Sequence, residues 1–401
     1  MARKRLNVFP IRIMREVPFR ILRKFLVGAC WGNARAIRLF QKRKKSGVAY
    51  PPLVFISVTQ RCNLICKGCW ATGVKQAVDM TPELLHAIVT ESRAQGCRFF
   101  GILGGEPLLL PWLLDFFDAH PEAYFQLFTN GYFLDEVVAQ RLARAGNVSP
   151  LISIEGGEGS YVIRRGEPAA YTKALAALAA CRKHGLITGV ATSVSVATYA
   201  EVVSADFVDE MVERGAHYLW YYIYRPSGPE PGFEQALDDR QVQALRQFLL
   251  VQRKCRHDVV IVDAYWDAQG MALCPAATGI SHHINARGEV EPCPPIQCSD
   301  CQIKVGGVVQ AMTHSAFLEA FRTRVPGLTR GCVLMDHPRE LAVLARQYQA
   351  HDSSGRDSFF EELAARRVMG CHNHDGEPMP ESSWAYRFAK RHWFFGFGAY
   401  G

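Results

Sequence analysis

The chain has 401 residues, of which 49% are apolar and 21% are charged. This composition is typical of folded globular proteins and excludes a disordered or fibrous chain. The formal net charge of +8 is unevenly distributed, because residues 1–47 contain fourteen Lys and Arg and a single acid, Glu16. The sequence shows neither a secretory signal nor an apolar run of about 18 residues. We therefore expect a cytoplasmic protein without a membrane-spanning helix.

Residues 1–47 form a basic arm in which large apolar side chains alternate with arginine and lysine. The apolar members are Ile11, Ile13, Met14, Phe19, Ile21, Leu22, Phe25, Leu26, Val27, Trp31, Ile37, Leu39 and Phe40. Such a pattern predicts one or two basic amphipathic helices.

Strands and helices are predicted to alternate from residue 52 to about 265. A helix begins at Thr81-Pro82, because threonine caps helices and proline is favoured in the first turn. Six apolar stretches predict strands: Leu53–Thr59, Arg98–Leu103, Tyr124–Phe128, Leu151–Glu155, Ile187–Ser195 and Tyr218–Tyr224. The alternation predicts a parallel sheet with right-handed crossovers, either open or closed into a partial barrel. Ligands bind at the carboxyl ends of such strands.

Three cysteines, Cys62, Cys66 and Cys69, follow the first predicted strand at the spacing C-x3-C-x2-C. Thiolates are the ligands of iron–sulfur clusters, and one short loop can direct three of them at a single cluster. No Cys or His between residues 50 and 85 could supply a fourth ligand. One iron would therefore stay open, as in catalytic metal centres, whereas the alternative of a zinc knuckle needs a fourth ligand.

The triplet and its place after the first strand resemble the radical S-adenosylmethionine (SAM) superfamily. The resemblance implies an α/β fold, a partial (β/α)6 barrel with a parallel sheet, and a [4Fe–4S] cluster whose open iron binds SAM. Electron transfer from such a cluster cleaves SAM to a 5′-deoxyadenosyl radical. Members often carry an aromatic residue before the third cysteine, whereas Gly68 stands there in this chain and Trp70 follows the cysteine.

Further strand-end motifs are similar to those of the same superfamily. Gly104-Gly105-Glu106-Pro107 matches its GGEP motif, whose glutamate and backbone contact the SAM ammonium; alone, the stretch could be a simple turn. Glu155 stands where related enzymes carry Asp near the SAM ribose. Arg165 would pair with the SAM carboxylate, the alternative being a solvated surface arginine. The other positions that the resemblance places near SAM are Asn130, Ser153 and Ser193.

A second group of cysteines lies in residues 266–340, where the alternation of strands and helices stops. Residues 284–290 predict a β-hairpin that would bring Cys274 and Cys293 together. Their C-x13-G-x4-C spacing resembles the start of a SPASM/twitch extension, which implies an auxiliary [4Fe–4S] cluster. The expected ligands are Cys274, Cys293 and Cys332, with Cys298 or Cys301 as the fourth; the alternative is a closed zinc site of Cys293, Cys298, Cys301 and Cys332. Cys371 is ambiguous: with His372 and His374 it could add a ligand, but an isolated Cys-His cluster in a loop is more often incidental.

Four regions are thus predicted: a basic arm (1–47), a radical SAM partial barrel (48–265), a small cysteine-rich auxiliary cluster domain (266–340) and a helical, aromatic-rich tail (341–401). The tail also mixes aromatic residues with cations: Trp384, Tyr386, Phe388, Trp393, Phe394, Phe395, Phe397 and Tyr400. Both ends have the composition of segments that lie at membrane interfaces. We expect peripheral attachment to an anionic membrane; the alternative is that the arm packs along the barrel and the tail fills an apolar groove.

The sequence therefore predicts a radical SAM enzyme, an oxidoreductase or a transferase, that abstracts hydrogen from its substrate. Membrane attachment would favour a lipid or isoprenoid substrate, and a peptide or a tetrapyrrole is the alternative. A flavodoxin or ferredoxin is the expected electron donor. A metal-stabilised nucleic-acid-binding protein would explain the basic arm but not the strand-end motifs. We therefore expect no nucleic acid partner.

Overall fold

The structure is a computed structural model and describes residues 9–47, 50–369, 371–373 and 376–392. The predicted tail aromatics Trp393, Phe394, Phe395, Phe397 and Tyr400 lie outside the described residues, as do His374 and residues 1–8 of the arm. The strands are β1 (Leu53–Ser57), β2 (Phe99–Leu103), β3 (Tyr124–Thr129), β4 (Val148–Ser153), β5 (Gly189–Val194), β6 (Tyr218–Ile223), β7 (Val260–Val262), β8 (Ser281–Ile284), β9 (Val290–Glu291), β10 (Cys298–Ser299) and β11 (His351–Asp352).

Helices cover most of the remaining chain. They are α1 (Phe9–Glu16), α2 (Phe19–Lys24), a π-helix (Phe25–Gly32), α3 (Asn33–Lys45), α4 (Pro82–Ala94), α5 (Leu113–Ala119), α6 (Glu136–Ala145), α7 (Glu158–Arg165), α8 (Ala169–Lys183), α9 (Tyr199–Val202), α10 (Ala205–Glu213), α11 (Asp239–Cys255), α12 (Pro275–Thr278), α13 (Val308–His314), α14 (Ala316–Leu328), α15 (Val333–Asp336), α16 (Pro338–Gln347), α17 (Phe359–Ala365) and α18 (Trp384–His392), with short 3-10 turns at Pro107–Leu109 and Phe233–Gln235. None of these described helices is both long and apolar enough to cross a bilayer.

The main sheet has nine strands in the order β7-β6-β5-β4-β3-β2-β1-β8-β9. All neighbours are parallel except β8 and β9, which form the predicted hairpin. Strands β1–β6 coincide with the six predicted strands to within three residues at either end. The predicted α/β fold with a parallel sheet is therefore confirmed. The sequence predicts the hairpin of β8 and β9 but not the short strands β7, β10 and β11, because two or three residues are too few to show a period.

Strand β8 ties the cysteine-rich region to the barrel. It pairs in parallel with β1, with Leu53 opposite Ser281 and Ile56 opposite Ile284. The first hairpin after residue 266 thus belongs to the barrel sheet, although the sequence places it in a separate small domain. The site between the two regions is consequently built on one continuous sheet.

The arm covers the amino ends of the strands. Ala29 and Phe40 pack in one cluster with Leu53, Phe99 and Tyr124, which begin β1, β2 and β3. We call this side of the barrel the amino-terminal face. The inner side of the arm therefore packs on the barrel, as the alternative reading of the arm expected, while its outer side stays exposed.

The last described helix, α18, is held by buried charges. The Lys390 ammonium lies 3.3 Å from the Asp263 carboxylate, which also pairs with Arg253. Arg253 in turn pairs with Glu381 at 2.8 Å, and all four side chains are almost completely buried. Removing one partner of a buried ion pair lowers the free energy of unfolding by several kcal/mol, because the other charge stays buried without a partner. The network therefore fixes the position of α18.

Candidate active site

A cavity of about 440 Å³ lies inside the barrel, and both predicted groups of cysteines line it. Cys62, Cys66 and Cys69 come from the loop after β1, and Cys274, Cys293 and Cys332 come from the region after residue 266. Much of the remaining wall is aromatic, with Phe55, Phe128, Trp220 and Tyr222 among the lining residues. Two sets of thiols therefore share one largely apolar chamber.

The three-cysteine loop needs a glycine before its last cysteine. Gly68 has a φ of +67°, and a Cβ there would lie 1.7 Å from the Tyr224 hydroxyl oxygen. That hydroxyl donates a 2.6 Å hydrogen bond to the Pro231 carbonyl. The space of a side chain at position 68 is thus taken by Tyr224, which explains why this chain lacks an aromatic residue before Cys69.

The two glycines of the GGEP motif support the start of the same loop. A Cβ on Gly104 would lie 2.3 Å from the Thr59 carbonyl oxygen, and one on Gly105 would lie 2.0 Å from that of Arg61. The N–H groups of Gly105 and Glu106 donate to these two carbonyls at 2.8 and 2.9 Å. Only residues without a side chain allow this approach, so the motif holds the cysteine loop in place.

Glu106 is completely buried behind the cavity wall. Its carboxylate accepts hydrogen bonds from the Thr129 hydroxyl at 2.8 Å, the Asn130 N–H at 2.8 Å and the Leu108 N–H at 3.1 Å. Burial raises the pKa of Glu106 to about 7, against the lowering effect of these donors. The carboxylate thus turns toward the end of β3 in this structure, and its direct contact with the SAM ammonium stays a prediction.

Asn130 connects Glu106 to the cluster loop. Its side-chain amide donates to the Asn63 side chain at 2.9 Å and lies 3.9 Å from the Cys62 sulfur. Asn130 lines the cavity, as do Ser153 and Ser193 at the ends of β4 and β5. The carboxyl ends of β2–β5 therefore bring the predicted SAM-binding positions to one wall.

Glu155 and Arg165 pair with each other. Their side chains lie 3.1 Å apart, and Arg164 approaches the other carboxylate oxygen of Glu155 at 2.5 Å. Arg165 also lies 3.5 Å from the Cys66 sulfur. The alternative of a solvated arginine is wrong, since only 11% of the Arg165 side chain is exposed. Two guanidinium groups share one carboxylate, so one positive charge remains available for an anion.

The second thiol set has a cation of its own, Arg225. Its Nε donates to the Cys332 sulfur at 3.0 Å, and its Nη1 donates to the Tyr265 hydroxyl at 3.0 Å. Burial raises the pKa of the Cys274 thiol to about 11, with a further contribution from Cys332. The Arg225 guanidinium would offset part of the negative charge that thiolate ligands bring to a metal centre. Sequence reasoning missed Arg225, although its position directly after β6 is the signal that marked the other site residues.

Neither sequence candidate for a fourth auxiliary ligand lines the cavity. Cys298 is buried in the C-terminal core, and the Cys301 sulfur faces the Ala311 carbonyl at 3.6 Å. The Cys371 sulfur instead accepts the Cys332 N–H at 3.2 Å. In the sequence, Cys371 stands in an isolated Cys-His cluster that is either incidental or adds a ligand, and the structure places it beside the predicted ligand Cys332.

Zinc would require tighter clustering than the thiols show. Zinc binds four thiolates at about 2.3 Å each, which brings the sulfurs into mutual contact. Within the described part of the chain, no three His, Cys, Asp or Glu side chains are close enough to hold one metal ion. A cubane spreads its ligands over four irons, and metal analysis of the protein distinguishes such a cluster from zinc.

Comparison with protein families gives a match to the Radical SAM superfamily over residues 56–205, which include the three-cysteine loop and β2–β5. The chain contains a radical SAM domain. Two curated relatives are similar to part of this chain. The pre-heme d1 synthase of Dinoroseobacter shibae is 30% identical over 205 residues, or 48% of this chain and 49% of the relative. The AdoMet-dependent heme synthase of Methanosarcina barkeri is 25% identical over 185 residues, or 45% and 53%.

The chain spans about half the length of these curated relatives. Among solved structures, SuiB of Streptococcus suis bound to the precursor peptide SuiA aligns with a TM-score of 0.58 at 13% identity, covering 71% of this chain and 70% of that one. At this identity the likeness shows the fold alone. The radical SAM domain and the similarity to synthases indicate that the protein is an enzyme.

Proposed function

We propose that this protein cleaves SAM reductively at a [4Fe–4S] cluster held by Cys62, Cys66 and Cys69, and abstracts hydrogen from a substrate in the adjoining cavity. The observation that carries the proposal is that this cysteine loop, the GGEP backbone and Arg165 meet on one cavity wall. When bound, the cluster supplies the electron that breaks the sulfonium bond. A flavodoxin or ferredoxin is the proposed source of that electron.

The protein's own residues would bind and orient SAM. Arg165 is suited to the SAM carboxylate, because it carries a buried positive charge 3.5 Å from the Cys66 sulfur. Glu106 is suited to the ammonium only in its ionised form, and its three hydrogen-bond donors favour that form. Glu155 pairs with both Arg164 and Arg165. We therefore propose that Glu155 orients Arg165 and does not contact the ribose of SAM.

We also propose an auxiliary [4Fe–4S] cluster on Cys274, Cys293 and Cys332, with Cys371 as the fourth ligand. The first three thiols line the same cavity, and the fourth lies against the Cys332 backbone. Four thiolates would close the site, since no iron would be left without a protein ligand. Cys371 does not line the cavity either, and we prefer it to Cys298 or Cys301 because its sulfur lies 3.2 Å from the backbone nitrogen of Cys332.

For the substrate we propose a flat, anionic ring system of the tetrapyrrole class. Trp220 and Tyr222 stack with ring centroids 5.4 Å apart and planes 10° apart, which forms a smooth apolar wall. Arg164 and Arg225 line the same cavity and could pair with carboxylates. The heme synthases among the relatives favour this class. A peptide is the second candidate, because the fold is also that of SuiB.

A lipid or isoprenoid substrate, the first expectation from sequence, has less support. The arm lies at the amino ends of the strands, whereas the cysteine loop follows the carboxyl end of β1. A bilayer that contacts the arm would therefore lie on the far side of the barrel from the cluster. Attachment to a membrane would not by itself deliver a lipid to this cavity.

The proposal is tested with anaerobically reconstituted full-length protein, dithionite and SAM. We expect 5′-deoxyadenosine from the wild type and none from a Cys62→Ala/Cys66→Ala/Cys69→Ala variant, which should lose about four irons but retain the auxiliary iron. Equal 5′-deoxyadenosine production by both proteins would contradict the assignment of the SAM-binding cluster. Retained zinc instead of iron would contradict the auxiliary cluster.

The substrate class is tested with iron coproporphyrin III and with a random octapeptide pool. We expect the porphyrin to increase 5′-deoxyadenosine formation and its absorption spectrum to shift on binding, because its ring would pack on the aromatic wall. The Arg164→Gln variant should bind the porphyrin more weakly, and Arg339→Gln, on the exposed surface of α16, serves as the matched control. Stimulation by peptides alone would overturn the tetrapyrrole assignment in favour of the second candidate.

A further inference from the structure

The outer side of the arm exposes an unusual run of large apolar side chains. Phe19 is 78% exposed, Trp31 71%, Val27 60% and Leu26 50%, although all four lie within α2 and the π-helix. Single exposed apolar residues are common on protein surfaces, whereas a contiguous patch marks an interaction site. Phe19 and Leu26 are exposed to solvent on the amino-terminal face, and Val27 and Trp31 border the space between the arm and the barrel.

A strongly basic cleft adjoins this patch. It has a volume of about 630 Å³, lies between the arm and the barrel, and has Trp31 in its lining. Its lining includes five cationic residues against one acid, Glu122: Arg23, Lys24, Arg35, Arg93 and Arg98. Glu122 is already paired with Arg93 at 2.8 Å, so the cleft retains a large positive excess. Such a cleft is suited to phosphate-bearing groups.

The arm is seated firmly enough to present this surface in a fixed orientation. A Cβ on Gly28 would lie 3.2 Å from the Tyr124 Cβ, and one on Gly32 would lie 3.0 Å from the Arg98 Cβ. The two glycines thus let the π-helix lie directly on the barrel. Lys24 also donates to the Ala145 carbonyl at 2.6 Å, at the end of α6.

The other end of the chain adds a similar surface next to the arm. Helix α18 packs against α3, and it exposes Trp384 (74%) and Phe388 (56%) together with Arg387 and Arg391. Its inner side is fixed by the buried Lys390–Asp263 pair. Helix α18 therefore presents aromatic and cationic side chains next to α3, whose exposed residues include Arg35 and Arg38.

We propose that this surface binds an anionic lipid bilayer, with Phe19, Trp31 and their apolar neighbours in the headgroup layer and the cleft cations on lipid phosphates. The combination of apolar and cationic side chains favours a bilayer over a nucleic acid, because a nucleic acid would pair with the cations but leave the apolar side chains in water. Each Lys or Arg near an anionic bilayer contributes about 1 kcal/mol, which corresponds to about fivefold in affinity. This inference is independent of the reaction at the cluster.

The test is sedimentation of the full-length holoprotein with vesicles of phosphatidylcholine alone or with 30% phosphatidylglycerol. We expect binding only to the anionic vesicles, and weaker binding at high salt because exposed charges are then screened. Arg23→Gln/Arg35→Gln should weaken binding by about 25-fold, at about fivefold for each charge. Phe19→Ser/Trp31→Ser should weaken it at least tenfold even at low salt, through the loss of apolar insertion.

Two controls separate the outcomes. Arg339→Gln/Val343→Ser removes an exposed cation and an exposed valine from α16 and should bind as the wild type does. Circular dichroism should show all variants folded, as expected for exposed positions. A wild-type protein that stays in the supernatant at low salt would overturn the proposal, as would binding that is insensitive to Phe19→Ser/Trp31→Ser. Tight binding of a 30-nucleotide RNA without vesicle binding would assign the surface to nucleic acid instead.

Discussion

The two faces of the barrel are constructed in opposite ways. At the carboxyl ends of the strands, polar groups are buried inside the protein, and Glu106 accepts hydrogen bonds from Thr129 and Asn130. At the amino ends, apolar side chains such as Phe19 and Trp31 are exposed to solvent, and the cationic residues of the cleft lie beside them. A six-residue strand is about 20 Å long, so the two sets of residues are separated by about the length of a strand. The difference teaches that the proposed SAM chemistry and the proposed membrane attachment rest on different residues, so we expect that each can be changed without the other.

Of the changes that compare the two faces, Gly105→Ala at the carboxyl ends of the strands should have the largest effect on stability and cluster binding. Gly105→Ala would place a Cβ 2.0 Å from a backbone oxygen of Arg61, which cannot move without the cysteine loop. We expect a loss of about 3 kcal/mol or more of stability and a failure to hold the first cluster, as for other overpacked sites. Thermal unfolding and iron content measure both effects.

Gly159 provides the matched control, because it lies in α7 and a Cβ there would meet nothing within 4 Å. Gly159→Ala should be neutral or stabilising by up to about 1 kcal/mol. A Gly105→Ala protein with normal iron content would show that the GGEP backbone does not support the cysteine loop.

The next largest effect concerns the second thiol set. In a protein that already carries Cys62→Ala, Cys66→Ala and Cys69→Ala, the change Cys371→Ala should remove most of the remaining iron, since a closed cluster needs its fourth thiolate. Cys301→Ala should leave that iron in place, because its sulfur faces the Ala311 carbonyl. Iron analysis and electron paramagnetic resonance of the reduced protein give the answer, and a reversed result would return the fourth position to Cys301.

A smaller, graded effect is expected from pH. The pKa of Glu106 is raised to about 7 by burial, so its carboxyl group is mostly protonated below pH 7 and ionised above it. A cation such as the SAM ammonium binds the ionised form better. SAM affinity should therefore rise with pH by up to about tenfold per unit below 7 and level off above it. Equilibrium dialysis of SAM across this range measures the curve, and a Glu106→Gln protein should give a flat one.

For folding, the sign of the Glu106 contribution is reversed. Its pKa in the folded protein lies above the ordinary value of 4.5, so its protonated form is favoured by folding. The associated stability is complete below about pH 4.5 and is lost as the pH rises through about 7.

A SAM affinity that is independent of pH in the wild type would show that Glu106 does not contact the ammonium.

The smallest effects are expected on the amino-terminal face when no membrane is present. Phe19→Ser and Trp31→Ser change side chains that are more than 70% exposed. Stability should change by no more than about 0.5 kcal/mol, and SAM cleavage in solution should be unaltered. A clear loss of SAM cleavage in either variant would show that the exposed residues of the arm affect the reaction in the cavity.

The sequence was informative wherever a local pattern carries the structure. The six long strands follow from apolar runs, and the cysteine loop and GGEP motif follow from their spacing. The pairing of Glu155 with Arg165, and the approach of Cys371 to Cys332, depend on chain segments that meet only in the folded protein. The short strand β7 is likewise defined by its neighbour β6 rather than by its own residues.

The pairing of β8 with β1 also has a consequence for synthesis on the ribosome. Ser281 follows its partner Leu53 by more than half of the chain, so β1 lacks one neighbour while the intervening residues are translated. At roughly 5–20 residues per second this interval lasts about 10–50 seconds. Throughout it, the nascent barrel carries an open edge with the sequence Leu-Val-Phe-Ile-Ser, and open apolar edges promote aggregation. Chaperone capture of the emerging chain would protect that edge until β8 arrives.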